Sequence, residues 1–243
     1  MAHVLILGAG SDIARALAAR LAAVGYHLYL AGRNPAELEK DAQDLRLRYG
    51  IDAQAKAFDA LAMDSHPAFW QDLEPKPYGV VSAVGLHAPQ EEAEHDWALC
   101  RSLLDTNLTG LVSILNLAAD HLEAQGRGFV IGLGSVAGDR GRRSNYLYGA
   151  AKAGFATYLS GLRARLSRVG VLVITVKPGY VRTKMTAGLA LPEALVATPE
   201  QAAADIFHAF KEGKSEVYTR WFWRYIMLGI RLIPECIFKK LDI

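Results

Sequence analysis

His3-Val-Leu-Ile-Leu7 runs directly into Gly8-Ala-Gly-Ser-Asp-Ile-Ala14, a short apolar stretch that turns through two glycines into the alanine- and leucine-rich segment Asp12–Val24. The first stretch has the pattern of a buried strand and the last that of a helix. Gly8 and Gly10 let the backbone bend tightly and come close to a phosphate. The helix that opens with Ser11, Asp12 and Ile13 offers its free N–H groups and positive dipole end at the same place. Taken alone, such a turn is a weak signal, since some turns of this kind are ordinary strand-to-helix connections. The pattern of the remaining chain decides between the two.

The alternation continues to near the end. Apolar runs at His27–Ala31, Gly79–Ala83, Gly128–Leu133 and Val171–Val176, a weaker one at Ala53–Phe58 and a last one at Glu216–Tyr218 bring the count to seven strands. Their lack of strict polar alternation suits a parallel sheet covered on both faces. Helical patterns lie between them. Pro35–Tyr49 has Pro in its first turn and Gly50 behind it, and Pro199–Phe210 follows Thr198 as N-cap. Ala98–Gln125 and Tyr146–Val169 are longer. The pattern predicts an α/β fold, a doubly wound parallel sheet with helices on both faces, binding its ligand beyond the carboxyl ends of the strands. No linker or repeat divides the 243 residues, of which 51% are hydrophobic, so one domain over residues 1–243 is expected.

Composition narrows the function. A net charge of +2 gives no electrostatic case for nucleic acid. Cys100 and Cys236 are far apart and read as free thiols, and no metal-ligand set is read from the sequence. A strand that starts almost at the first residue argues against a signal peptide, and no apolar run reaches the roughly 18–20 residues that span a bilayer. A cytoplasmic protein is expected.

The chemistry concentrates in Tyr148-Gly-Ala-Ala-Lys152. Four residues apart on a helix, the phenol and the ammonium share one face. The ammonium favours the phenolate and poises the tyrosine as a proton donor or acceptor. Ser135 ends the run Gly128–Gly134, thirteen positions before Tyr148, and so sits at a strand's carboxyl end. At the second strand the chain reads Ala31-Gly32-Arg33-Asn34. An NAD-preferring site often has an acidic residue here for the ribose 2′-hydroxyl, whereas a guanidinium suits a 2′-phosphate. Arg33 therefore favours NADP(H) over NAD(H), against the alternative of an exposed loop arginine. Ser11 adds a hydroxyl for the same phosphate. Asp59 accepts from the adenine amino group or serves only its own turn.

These residues together resemble the short-chain dehydrogenase/reductase family. Asn107 in Asp105-Thr106-Asn107-Leu108 and the stretch Pro178-Gly179-Tyr180-Val181-Arg182-Thr183 extend the match over nearly the whole chain. The resemblance implies an extended Rossmann fold that interconverts a carbonyl and a secondary alcohol with NAD(P). In that family's terms Tyr148 gives a proton to the carbonyl oxygen and Ser135 holds that oxygen. Lys152 supports the phenolate and binds the nicotinamide ribose, and Asn107 holds a water that joins Lys152 to solvent. Pro178, Gly179 and Val181 border the nicotinamide, Thr183 contacts its amide or the phosphates, and Tyr180–Pro192 forms a mobile lid. A homodimer or homotetramer is implied as well. Two departures stand out. The usual turn Thr-Gly-x-x-x-Gly-x-Gly has Leu7, Asp12 and Ala14 at three of its fixed places, and Asp12 is expected to point away from the phosphate. The usual Asn-Asn-Ala-Gly is Ser82-Ala83-Val84-Gly85, with Ser82 expected to replace part of a strand-bridging hydrogen bond.

Two regions bear on the substrate. Arg140, Arg142 and Arg143, between Ser135 and Tyr148, suit a phosphate or another anion, or form a solvated loop. The tail Thr219–Ile233 reads as an amphipathic helix with Arg220, Arg224 and Arg231 in one stripe among aromatic and aliphatic residues. Such a helix suits a membrane interface or another subunit, with packing into the chain's own core the least favoured reading. The tail and the Ser-Asp-Ile-Ala turn are similar to a narrower group, reductases of keto-sugars carried on polyprenyl phosphate such as decaprenylphosphoryl-2-keto-ribose reductase. That similarity implies a lipid-linked carbonyl substrate and peripheral contact at the inner face of the cell membrane. A soluble reductase of small or lipid ketones competes with it. So does a non-catalytic NADP(H)-binding sensor, against which Ser135, Tyr148 and Lys152 speak.

Overall fold

Strand β1 (His3–Leu7) is buried along its whole length, and Ser11 caps the helix behind it, α1 (Asp12–Ala23), by accepting from the Ala14 N–H at 3.2 Å. The computed structural model describes residues 2–188 and 191–241. Strand β2 (His27–Gly32) leads to α2 (Pro35–Tyr49), which starts on the Asn34 side chain and stops at Gly50, φ 65°. Next come β3 (Ala53–Ala57), α3 (His66–Gln71), β4 (Gly79–Ser82), α4 (Gln90–His95), α5 (Trp97–Leu104) and α6 (Gly110–Gln125). After them lie β5 (Phe129–Leu133), α7 (Tyr146–Leu166), β6 (Leu172–Pro178), β7 (Tyr180–Val181), β8 (Val196–Ala197), α8 (Pro199–Lys211), β9 (Glu216–Thr219), α9 (Phe222–Leu232) and α10 (Glu235–Phe238).

Seven parallel strands form the sheet in the order β3-β2-β1-β4-β5-β6-β9, and β7 pairs with β8 beside it. Helices α1, α2 and α8 cover one face and α3, α6 and α7 the other, each over its own apolar cluster. The doubly wound, Rossmann-like sheet expected from the sequence is thus the one observed. The winding reverses between β1 and β4, where Leu7 pairs with both Ala31 and Ser82. Such a reversal opens a crevice at the carboxyl ends of the two central strands.

Differences from the sequence reading have local causes. The long helix expected over Ala98–Gln125 is α5 and α6 joined by a π-helical turn, Asp105–Thr109. Asn107 sits inside that turn, and Gly110 comes after it so close to Ala60 that an added Cβ would lie 2.0 Å from the Ala60 carbonyl oxygen. The tail helix expected from Thr219 starts at Phe222 instead. Thr219 closes β9, Arg220 precedes the helix rather than joining its stripe, and Pro234 separates α9 from α10. The least favoured reading of the tail holds for one face. Trp223 and Met227 are buried with Val136, Tyr180 and Ile226. On the other face Trp221, Tyr225, Leu228 and Leu232 are 51–72% exposed. Among the described residues no helix is long and apolar enough to cross a membrane.

Candidate active site

Gly8 takes φ +74°, and a Cβ there would lie 2.7 Å from the Val84 N–H nitrogen, so only glycine lets β1 turn against the loop after β4. Gly10 has open space in front of it, its one near atom being a Leu38 methyl at 4.0 Å. A cleft runs from Gly8 and Gly10 past Arg33 and Asp59 to Gly85. Arg33 is exposed at its rim. Asp59 uses Oδ1 to accept from the Leu61 N–H at 3.0 Å. Turn chemistry and cleft lining coexist there. The cradle fits a dinucleotide: glycines where backbone meets phosphate, a helix N-terminus behind them, and a cation at the end of β2.

Four of the expected cofactor residues have structural partners. Ser11 spends its acceptor on the cap of α1. Asp12, expected to point away from the phosphate, accepts from the Lys184 N–H at 2.9 Å and ties the turn to the segment after β7. Ile13 packs on the cluster of Val181, Ala197 and Ala202. Thr183 starts the short turn Lys184–Thr186, donating its N–H to Thr186 Oγ1 at 3.0 Å. Of the expected lid Tyr180–Pro192, residues 189 and 190 lie outside the described residues.

Ser135, Tyr148 and Lys152 meet at the carboxyl end of β5. Lys152 is buried and donates to the Leu133 carbonyl at 3.1 Å, which aims its ammonium along the Tyr148 ring, 5.8 Å from the centroid. Burial brings the Lys152 amine down to about 8. Burial likewise pushes the Tyr148 phenol up to about 12, against a smaller downward pull from a hydrogen bond with Ser135. The sequence puts an ammonium beside the phenol and so favours ionisation. In the folded chain desolvation outweighs that effect, and the phenol keeps its proton at neutral pH. Ser135 Oγ also accepts from the Ala137 N–H at 3.1 Å, which fixes its rotamer.

Asn107 is wholly buried and its amide is a clamp. It donates to the Leu86 and Leu103 carbonyls at 2.7 and 2.9 Å and accepts from the Leu86 N–H at 3.2 Å. Its two donors are thereby used, and it holds the loop after β4 against the π turn. A Cβ on Gly85 would come within 3.5 Å of Asn107 Oδ1 and 3.7 Å of Lys152 Nζ, so this glycine keeps the space between them open.

A short chain dehydrogenase family model matches residues 2–194. The chain belongs to the short-chain dehydrogenase family. It is an NAD(P)-dependent oxidoreductase of that family. It is 37% identical over 243 residues to an uncharacterised oxidoreductase of Mycobacterium tuberculosis, covering 99% of this chain and 97% of the relative. A sulfoacetaldehyde reductase of Chromohalobacter salexigens is 31% identical over 247 residues, covering 99% and 92%. A short-chain dehydrogenase from Sphingobium yanoikuyae, solved in complex with NADPH, superposes with a TM-score of 0.85 at 22% identity, over 99% and 96% of the two chains.

Against this family pattern, two expectations need correction. Ser82 Oγ is buried without a hydrogen-bond partner among the described residues, so it does not bridge strands in place of the usual asparagine. The arginine loop is not one solvated cluster. Arg140 stacks on Phe238 at 3.6 Å and donates to the Ile230 and Ile233 carbonyls and to Glu235, pinning the tail. Arg142 is buried and Arg143 is exposed. Three site neighbours escaped the sequence reading. Gly85 is one. His87 packs edge-on against Tyr148 at 5.4 Å, its pKa lowered by burial. Trp223 covers Gly179, where a Cβ would strike its indole at 2.0 Å, and so brings α9 to the edge of β6 where Pro178 ends the strand. The signal for Trp223 was an apolar tail helix with no polar face wide enough for solvent.

Proposed function

We propose that the protein uses NADPH to reduce a carbonyl compound to a secondary alcohol. The observation that carries this reading is the meeting of Tyr148, Lys152 and Ser135 at the sheet edge that also ends the Gly8–Arg33 cleft. Gly8, Gly10 and the N-terminus of α1 hold the pyrophosphate, Arg33 the 2′-phosphate and Asp59 the adenine. Pro178, Gly179, Val181 and Thr183 border the nicotinamide end. The bound cofactor supplies hydride to the carbonyl carbon. Ser135 holds the carbonyl oxygen, and Tyr148, protonated at neutral pH, gives that oxygen its proton. The Lys152 ammonium, largely charged below pH 8, stabilises the phenolate left behind and orients the ribose. Asn107 fixes the loop that borders this path.

Titration with NADPH and NADH tests the cofactor. Arg33→Asp should weaken NADPH binding about 10- to 100-fold, the range of a charge-assisted hydrogen bond, and reverse the preference. Equal affinities for the two cofactors in the parent protein would end the NADPH assignment.

The outer face of α9 meets an anionic lipid surface in this reading. Trp221, Tyr225, Leu228 and Leu232 fall within one narrow stripe, with Arg224 and Arg231 beside it and Lys239 and Lys240 just beyond. The last 25 residues carry five basic and two acidic side chains, which leaves the preceding 218 residues, with 22 against 23, at −1. A second copy brought to this face would oppose like charges, whereas anionic headgroups complement them. A homodimer or homotetramer is then built on other surfaces. A keto-sugar carried on polyprenyl phosphate is the substrate that unites the lipid-facing helix with the arginine loop beneath it. Flotation with vesicles of phosphatidylglycerol and phosphatidylcholine tests the surface: binding to anionic vesicles only, lost in Trp221→Glu with Tyr225→Glu. A dimer seen by light scattering that the same double substitution dissolves would show the face to be a subunit contact instead.

A further inference from the structure

The loop between Ser135 and α7 holds a guanidinium that the chain leaves nearly unused. Arg142 is only 9% exposed, yet no carboxylate pairs with it among the described residues. Its two contacts are long, Nη2 reaching the Val136 carbonyl at 3.4 Å and Met227 Sδ at 3.6 Å. Its Nε–H is buried with no hydrogen-bond partner among the described residues. Arg140, two residues away, has a carboxylate, two strong carbonyl bonds and an aromatic ring. Buried cations are ordinarily paired, because an isolated charge in an apolar setting costs several kcal/mol. Arg142 departs from that rule beside the candidate active site.

The surroundings repeat the theme. Val136 directly follows Ser135 and packs with Met227 and Trp223. Trp223 is one helical turn before Met227, so both project from the same face of α9. The Trp223 indole packs with Nε1 against Gly179, and that N–H has no hydrogen-bond partner among the described residues. Every unused group on Arg142 is a donor on a buried cation, and an acceptor with negative charge answers it best. The planar fork of a guanidinium matches a tetrahedral oxyanion in particular.

We propose that Arg142 binds an oxyanion carried by the substrate, a phosphate or a sulfonate. This rests on the carbonyl-reductase reading and names the chemical class of its substrate. The purely structural alternative is that Arg142 serves only to hold the Val136 carbonyl.

The test is calorimetric titration of the full chain saturated with NADP+, so that Arg33 and the Gly8–Ala14 turn are already covered. The probes are sodium sulfate, dodecyl phosphate below its micelle concentration, and dodecanol as the uncharged control. The expected result is one saturable anion site, weakened at least tenfold in Arg142→Met with NADP+ affinity unchanged. Tighter binding of dodecyl phosphate than of sulfate supports a lipid-linked phosphate. Binding of sulfate alone supports a small free anion. No anion site in the parent chain, or equal anion affinity in Arg142→Met, overturns the proposal. Should Arg142→Met fail to fold, Arg142→Lys is measured instead. It keeps the charge but loses the fork, and a loss under threefold overturns the proposal. Failure of the carbonyl-reductase reading is separate, being seen as no binding of NADP+ in the first titration.

Discussion

Asp139 decides how firmly the loop behind Ser135 is held, and its replacement by asparagine should be felt in both stability and substrate binding. The carboxylate is 4% exposed, 2.8 Å from Lys177 Nζ, and accepts from the Tyr218 hydroxyl at 2.7 Å. Lys177 has a second partner, Glu216, at 2.9 Å, but that side chain is 45% exposed. Burial works against the Lys177 charge, yet its bonds to Asp139 and Glu216 raise its pKa above the ordinary lysine value. Burial and then the bond to Asp139 push the Tyr218 phenol up to about 12. Breaking a fully buried pair costs about 3–5 kcal/mol, and an exposed pair is worth about 0–1. Asp139→Asn keeps the volume and one acceptor and leaves Glu216 in place, so about 3 kcal/mol is the expected loss. For a chain of this size that lowers Tm by roughly 6–12 °C. Circular dichroism melts with and without NADPH measure it. The sign with pH is definite. Raised pKa values for Lys177 and Tyr218 mean their contribution is whole below about pH 10 and is lost above it, so the gap between parent and variant stays constant from pH 7 to 9. A Tm within 2 °C of the parent, or a gap that closes between pH 7 and 9, would refute the reasoning.

The same geometry fixes other outcomes. Tyr148→Phe should lower the reduction rate about 10²- to 10⁴-fold, the usual worth of a positioned proton donor, while NADPH binding by fluorescence is retained; a parent chain without measurable turnover, with Tyr148→Phe losing none of its function, would revive the non-catalytic sensor. Because burial lowers Lys152 to about 8, its ammonium is charged below that pH and lost above it, so kcat/KM for reduction should be level near pH 7 and decline through pH 8–9. A profile still level at pH 9.5 would remove Lys152 from that role. Gly8→Ala must place a Cβ 2.7 Å from backbone at φ +74°, and should cost about 2–4 kcal/mol in denaturant unfolding along with cofactor affinity. Gly179→Ala drives a methyl into Trp223 and should lift α9, read as faster proteolysis of the tail.

The architecture was legible because its cues are local. Apolar runs such as Val4–Leu7 and Phe129–Leu133 announce strands buried on both faces, and Asn34-Pro35 and Gly50 bracket a helix through their own backbone preferences. Tyr148 and Lys152 were legible for a similar reason, since a spacing of four on a helix fixes a shared face. What escaped depends on partners distant in the chain. Nothing near Ser82 says that its hydroxyl will be buried without a bond. Arg140 and Arg142 look alike until α9 and α10 fold over them, when one gains Glu235 and Phe238 and the other only Met227. The rise of the Tyr148 pKa is likewise a matter of burial, which no spacing reveals. The π turn at Asn107 breaks a helical period that, read linearly, continues from Ala98 to Gln125.

The family model ends at residue 194, whereas the helix that roofs Gly179 and neighbours Arg142 begins at Phe222. The part of the chain that the family model covers and the helix over Gly179 are therefore written in separate stretches. In the laboratory, the junction just after Thr219 is the natural splice point for exchanging the terminal stretch among relatives without touching Gly8, Gly10 or Arg33.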